Sequence, residues 1–194
     1  MGFWSNLWST LFGGGQRAQK TAAAAQPAPV AQGPLYAPGT RIAYDGSLVG
    51  QLQADHQRLL ALFTDIRNSF LAGDVAHATA ALDRFKSDIQ AHLLVEEVRL
   101  YVYLQNALAN DELNHSLMRH MHREMASIGN DVLNFLGKYN ALDKSPELQK
   151  DFAGDLDKLG EVLVERIKRE ETLLYPMYMP PAELNKTARI RSPG

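Results

Sequence analysis

The chain has 194 residues, 45% of them hydrophobic, enough for one domain with a buried core; its 20 basic and 22 acidic residues leave no bulk charge to attract nucleic acid. It contains no cysteine, so disulfides, thiolate metal sites and cysteine catalysis are excluded, and a reducing cytoplasm suits it. No run approaches the roughly 18 apolar residues that a membrane-spanning helix needs.

In chain order, the first predicted element is a short amphipathic helix at 1–12, where Phe3, Trp4, Leu7, Trp8, Leu11 and Phe12 recur at helical spacing. No basic residues precede an apolar run, as a secretory signal requires, and Asn6 breaks the myristoylation pattern. Two readings stand side by side: the helix packs on its own domain or a second copy, or it lies in a membrane interface or a protein partner's groove. Residues 13–46, with Gly13-Gly14-Gly15, an alanine run and prolines at 27, 29, 34 and 38, read as a flexible linker. Leu35, Tyr36, Ile42 and Tyr44 are the residues available to pin its end to the domain.

Residues 47–178 read as four long amphipathic helices, at about 47–71, 75–108, 111–138 and 146–178. Their seams step by three and four: Leu48, Leu52, His56, Leu59, Phe63, Ile66 and Phe70 in the first, and Leu82, Phe85, Ile89, His92, Glu96, Leu100 and Tyr103 in the second. The third runs His115, Met118, His122, Met125, Gly129, Val132 and Leu136; the fourth runs Phe152, Leu156, Leu159, Leu163, Arg166, Glu170 and Leu173. Gly73-Asp74 marks the first turn, and Ser145-Pro146 supplies an N-cap and first helical position for the last helix. With no strand alternation, the fold class is all-α, an up-down-up-down four-helix bundle with a disordered tail at 179–194. The two halves also repeat, since Glu96-Glu97 with Leu100-Tyr101 corresponds to Glu170-Glu171 with Leu174-Tyr175.

Polar residues interrupt these core seams. At about 1.5 Å of rise per residue, His56, His92, Glu96, His122, Arg166 and Glu170 all fall between roughly 4 and 16 Å from one end of the bundle. Buried ionisable groups are costly unless paired or metal-bound, so a layer of imidazoles and carboxylates predicts a metal centre, with non-heme iron ahead of manganese and zinc. His92 and Glu96, four residues apart, share a helix face and can reach one ion. His115 lies too far along its helix to join them; His77 and His120 read as surface residues, and Glu97 and Glu171 as solvated neighbours.

On these residues the domain resembles the hemerythrin-like HHE cation-binding family. The likeness spans 47–178 and rests on Asp55-His56, the HLLVEE run from His92 with Leu100-Tyr101 after it, His122, and the RIKREETLLYP run from Arg166. It implies a centre of two bridged irons and a role in oxygen binding, iron handling or redox sensing. His56, His92, Glu96, His122 and Glu170 match ligand positions, with Glu96 and Glu170 as bridges. Arg166 stands where the family has histidine, and a guanidinium has no lone pair to give. A weaker likeness, over short stretches, is to the regulator of sigma D family of anti-sigma factors, also helical bundles with an Arg-x-x-x-Glu run in the last helix.

The expectation is therefore a non-enzymatic oxygen or redox sensor, or ligand-binding regulatory module. It would carry a mononuclear or altered di-iron centre, reached by O2 or peroxide at the position the missing histidine leaves open. It would be cytoplasmic, held at the periphery of the inner membrane or on a protein partner by its N-terminal helix, and able to form homo-oligomers. The alternative is a metal-free bundle acting as a protein–protein regulatory factor, with Arg166 neutralising Glu96 or Glu170. A di-iron oxidase or peroxidase has less support, because such enzymes generally use more carboxylates.

Overall fold

The computed structural model describes residues 36–184; the aromatic segment at 3–12, the linker as far as 35 and the tail from 185 lie outside the described residues. Helix α1 spans Leu48–Leu71, α2 Val75–Val95, α3 Val102–Ala107, α4 Glu112–Lys138 and α5 Pro146–Arg169. A π-helical turn at Glu96–Tyr101 joins α2 to α3 without a break, and a second at Glu170–Leu174 extends α5 into a 3-10 turn at Tyr175–Met177. The described residues thus form four rods. Short connections reverse the chain, and α1 packs beside α2 and α5, while α4 packs beside α3, α2 and α5.

Local sequence sets the rod ends. Gly73 adopts φ +85°, a conformation that a side chain would strain, and lets the chain leave α1. Asp74 then caps α2 by accepting from the His77 amide at 3.0 Å, and Asp111 caps α4 by accepting from the Asn114 amide at 3.2 Å. Ser145 takes the N-cap position of α5 with extended backbone, but its hydroxyl makes no capping bond; Pro146 starts the helix by its fixed φ alone.

The core is layered along the rods. At one end Phe70, Phe135, Tyr139 and Phe152 pack as an aromatic cluster, with centroid separations of 4.7 to 5.8 Å. At the other, Leu48, Leu52, Leu100, Tyr103, Leu104, Leu108, Met118 and Leu174 form an apolar plug. Each such side chain contributes about 1.5 to 3 kcal/mol by leaving water. His56, His92, Glu96, Arg166 and Glu170, the buried polar and charged residues among those described, lie between these ends.

Residues on both sides of 47–178 pack against the bundle. Ala37 is fully buried, a bridge pairs Tyr36 with Ala43, and Tyr44 packs on Tyr103 and Tyr178. The Asp45 amide donates to the Tyr178 hydroxyl, and the Asp45 carboxylate accepts from Ser47 and Arg99. Residues 36–46, read as the end of the linker, therefore close the apolar plug. Past residue 178, Met179 accepts a hydrogen bond from the Tyr103 hydroxyl at 2.6 Å, and Leu184 packs on the same plug, where a disordered tail was expected. Proline content points to irregular chain at both places, but 181–184 form a helical turn, and tyrosine contacts hold both segments down.

Candidate metal centre

His56 of α1, His92 of α2, and Glu96 and Glu170 at the first residues of the two π-helical turns are all buried, each offering one ligand atom within 4.8 Å of every other. A π turn holds one more residue per turn than an α turn, so it rotates the downstream residues about the rod axis. Leu100 and Tyr101 consequently both face inward, and in the last rod Leu174 is buried while Leu173, the seam residue expected from straight helical stepping, is 43% exposed.

Each carboxylate at the centre has one oxygen engaged and one turned to the cluster. Glu96 Oε1 accepts from the Tyr175 hydroxyl at 3.0 Å, while Glu96 Oε2 is buried with no hydrogen-bond partner and lies 3.8 Å from His92 Nε2. Glu170 Oε1 accepts from Arg166 Nε at 2.6 Å, while Oε2 lies 3.3 Å from His56 Nε2. His56 Nδ1 is 2.8 Å from Glu171 Oε1, the second carboxylate that orients a metal-binding imidazole, and Nε2 faces the centre, 3.2 Å from the Tyr175 hydroxyl. His92 Nδ1 is buried and unpartnered, 3.7 Å from Asp55 Oδ2. An orphaned buried carboxylate oxygen beside two imidazoles and a second carboxylate fits a cation: two nitrogen and two oxygen donors suit iron, manganese or zinc.

Arg166 fills the remaining side. Its guanidinium donates to Glu170, to the Tyr101 hydroxyl at 2.7 Å and to the Met121 carbonyl at 3.0 Å, and it is 3% exposed. The position expected to be left open by a missing histidine is therefore closed by a positive charge.

Burial and this charge pattern set the protonation of the metal-free cluster. Burial alone would lower the His56 pKa, but bonds to Glu170 and Glu171 and their charge outweigh it and lift the imidazole to about 9. Burial, reinforced by the charge on His56, drops His92 to about 4. Burial and the neighbouring Glu170 push Glu96 up to about 8. Glu170 resists the same burial, because His56 and Arg166 hold it below the usual carboxylate range. Without metal, protons thus sit on His56 and Glu96.

Of the five expected ligand residues, the structure brings four together. His122 is not among them: its side chain is 42% exposed, its Nε2 bonds Glu97 Oε2 at 2.7 Å, and its ring stacks on Tyr101 at 4.3 Å. Helical spacing permits either Met121 or His122 to follow Met118 inward, and the apolar Met121 takes that slot. Glu171, read as solvated, is only 33% exposed and holds His56. Tyr101, Tyr175 and Asp55 were missed as partners of the centre, although the repeated Leu-Tyr pair and the Asp55-His56 dipeptide were the available signals. His77 pairs with Asp65 and His120 with Glu124 on the surface, while His115 Nε2 is buried without a partner, apart from the cluster.

Fold and site together define an all-α bundle with a buried histidine–carboxylate group that could hold a cation. The profile of the Hemerythrin HHE cation binding domain matches residues 47–178, more than half of the chain, and the chain belongs to that family. No curated protein and no solved structure matches it.

Proposed function

We propose that this chain is an iron-binding HHE protein that works as an oxygen or redox sensor or ligand-binding regulatory module, not as an enzyme. The observation that carries the reading is the convergence of His56, His92, Glu96 and Glu170 around the orphaned Glu96 Oε2. Bound iron supplies a redox couple and Lewis acidity toward a small ligand such as O2 or peroxide. The protein's share is to hold the ion through four side chains, orient His56 through Glu171, and exclude bulk water with the plugs on either side. Glu96 and Glu170, which would hold the ion, begin the two π turns, so rod ends α3 and Tyr175–Met177 are the elements that these two residues would couple to the centre. Elemental analysis with a visible spectrum tests this. Iron bound to the purified full chain is expected, and metal-free protein from iron-rich medium would overturn the reading.

Attachment is the second part of the proposal. Among the described residues no helix is long and apolar enough to cross a membrane. The aromatic face of Phe3, Trp4, Leu7, Trp8, Leu11 and Phe12 is proposed to hold the protein at the inner membrane surface or on a partner protein, in a cytoplasmic setting. Deleting residues 1–12 should reduce liposome binding or change oligomer size; no change in either would remove this part.

One observation favours the rival reading of a metal-free regulatory bundle: Arg166 already supplies a buried cation to Glu170 and saturates two further acceptors. On that reading the bundle acts through protein contacts alone. Iron content separates the two.

A further inference from the structure

We infer that the centre takes a single metal ion, and that the Arg166 guanidinium stands in the place of a second. The inference rests on the metal-binding reading above and adds its stoichiometry. Two-metal sites hold their ions about 3.5 to 4 Å apart and need carboxylates that offer an oxygen to each. Here each carboxylate already has one oxygen committed to a protein donor: Glu170 Oε1 to Arg166 Nε and Glu96 Oε1 to the Tyr175 hydroxyl, so that Oε2 of each is the oxygen turned to the cluster, that of Glu170 facing His56 Nε2. With His56 Nε2 and His92 Nε2 these make four single donor atoms, a complete set for one ion.

Donors for a second ion would have to come from the side where Arg166 lies. Arg166 has no lone pair, the Tyr101 hydroxyl and Met121 carbonyl both accept from it, and His122 Nε2 is engaged with Glu97. The electrostatics agree. Glu170 needs a cation on its Oε1 side, and a guanidinium fixed by three hydrogen bonds supplies one without metal.

His122 is the spare part of this arrangement. It sits against the Tyr101 ring, and the Tyr101 hydroxyl bonds Arg166, so His122 lies one residue's width from the place the guanidinium fills. Replacing Arg166 with histidine would supply one donor, empty the guanidinium volume and free Glu170 Oε1. His122 could then turn inward as a further donor.

The test titrates the chelated full chain with iron(II) under anaerobic conditions, counts bound iron after desalting, and records the EPR spectrum after air oxidation. Wild type is expected to hold one iron per chain with the signal of an isolated high-spin ferric ion. R166H should rise toward two irons with that signal suppressed by coupling, and R166H/H122A should return to one. R166K, which keeps a cation without a donor and guards against misfolding of the histidine variant, should stay at one. Two irons in wild type or in R166K, or R166H remaining at one while folded, would overturn the inference and leave metal binding intact. No iron in any variant would sink the metal-binding reading and this inference with it.

Discussion

The two halves of the bundle carry the same five positions and use them differently. His56, His92, Glu96, Glu97 and Tyr101 correspond to His122, Arg166, Glu170, Glu171 and Tyr175. Each repeat histidine bonds the acid of the other half, His56 to Glu171 at 2.8 Å and His122 to Glu97 at 2.7 Å, and stacks on the other half's tyrosine. The frame is symmetric, and the outcome is not. His56 binds its acid through Nδ1 and turns Nε2 to the centre, whereas His122 spends Nε2 on its acid at the surface. Where one half has an imidazole at His92, with a nitrogen that makes no hydrogen bond and only a 3.7 Å approach to Asp55, the other has a guanidinium with three hydrogen bonds. The histidine-to-arginine difference at 92 and 166, together with the outward turn of His122, leaves three of the four converging donors on one half and a fixed cation on the other.

The largest break in that comparison is Arg166→Met in the metal-free protein. Removing one member of a buried, hydrogen-bonded ion pair leaves Glu170 with His56 as its remaining cation and the Tyr101 hydroxyl and Met121 carbonyl without their donor, at an expected cost of about 3 kcal/mol in urea unfolding. The mirror change, His92→Met, removes a neutral ring with an unpartnered nitrogen, replaces it with a side chain of similar volume, and should cost no more than about 1 kcal/mol. Equal costs for the two would mean that the halves are not electrostatically distinct.

The next effect is on pH dependence. His56, raised from 6.5 to about 9, and Glu96, raised from 4.5 to about 8, both hold protons in the folded chain that the unfolded chain has lost near pH 7. Where the folded state binds more protons, stability falls as pH rises. The His56 contribution is complete below pH 6.5 and gone above about 9; that of Glu96 is complete below 4.5 and gone above about 8. His92, lowered from 6.5 to about 4, works in the opposite sense and offsets Glu96 below pH 6.5, so the chelated protein should lose stability steadily between pH 6.5 and 9. A bound ion requires both protons to leave, so loading near pH 7 should release about two protons per ion, read with a pH indicator, and affinity should rise with pH. A flat stability profile after chelation would show that the two groups do not titrate as a buried pair.

Smaller again is the contrast between the two orienting acids. Glu171→Gln weakens the carboxylate that fixes His56 and should lower metal affinity about 10- to 100-fold in a competition titration. Glu97→Gln, its repeat partner, faces His122 away from the cluster and should leave affinity unchanged.

The part of this arrangement that is legible in the sequence is the part set by local forces. The four rods, their turns at Gly73-Asp74 and Pro146, and the common level of His56, His92, Glu96 and Glu170 come from helical period and rise, which depend on spacing alone. The inward rotation of Tyr101 and Leu174 does not, because a π turn is one residue off the α period and leaves no mark in the seam. His122 misled for a related reason: at a three- or four-residue step either Met121 or His122 can enter the core, and the choice is decided by Arg166 and Tyr101 on other helices. Residues 36–46 look like a loop and are one, while 181–184 form a helical turn; the attachment of both segments through Tyr44, Tyr103 and Tyr178 is a long-range event that composition does not encode.

The smallest expected effect is His122→Ala, and it is the one that isolates the asymmetry. The residue loses a partly exposed ion pair with Glu97, worth at most about 1 kcal/mol, and a ring stack on Tyr101. Because His122 Nε2 contributes nothing to the cluster, metal content and the pH profile of the chelated protein should both match wild type. His56→Ala, at the equivalent position of the other half, should abolish binding, since it removes a donor and leaves Glu171 and Tyr175 without their imidazole partner. Loss of metal in His122→Ala would place its ring in the centre once an ion arrives, and the two halves would then differ only in the metal-free state.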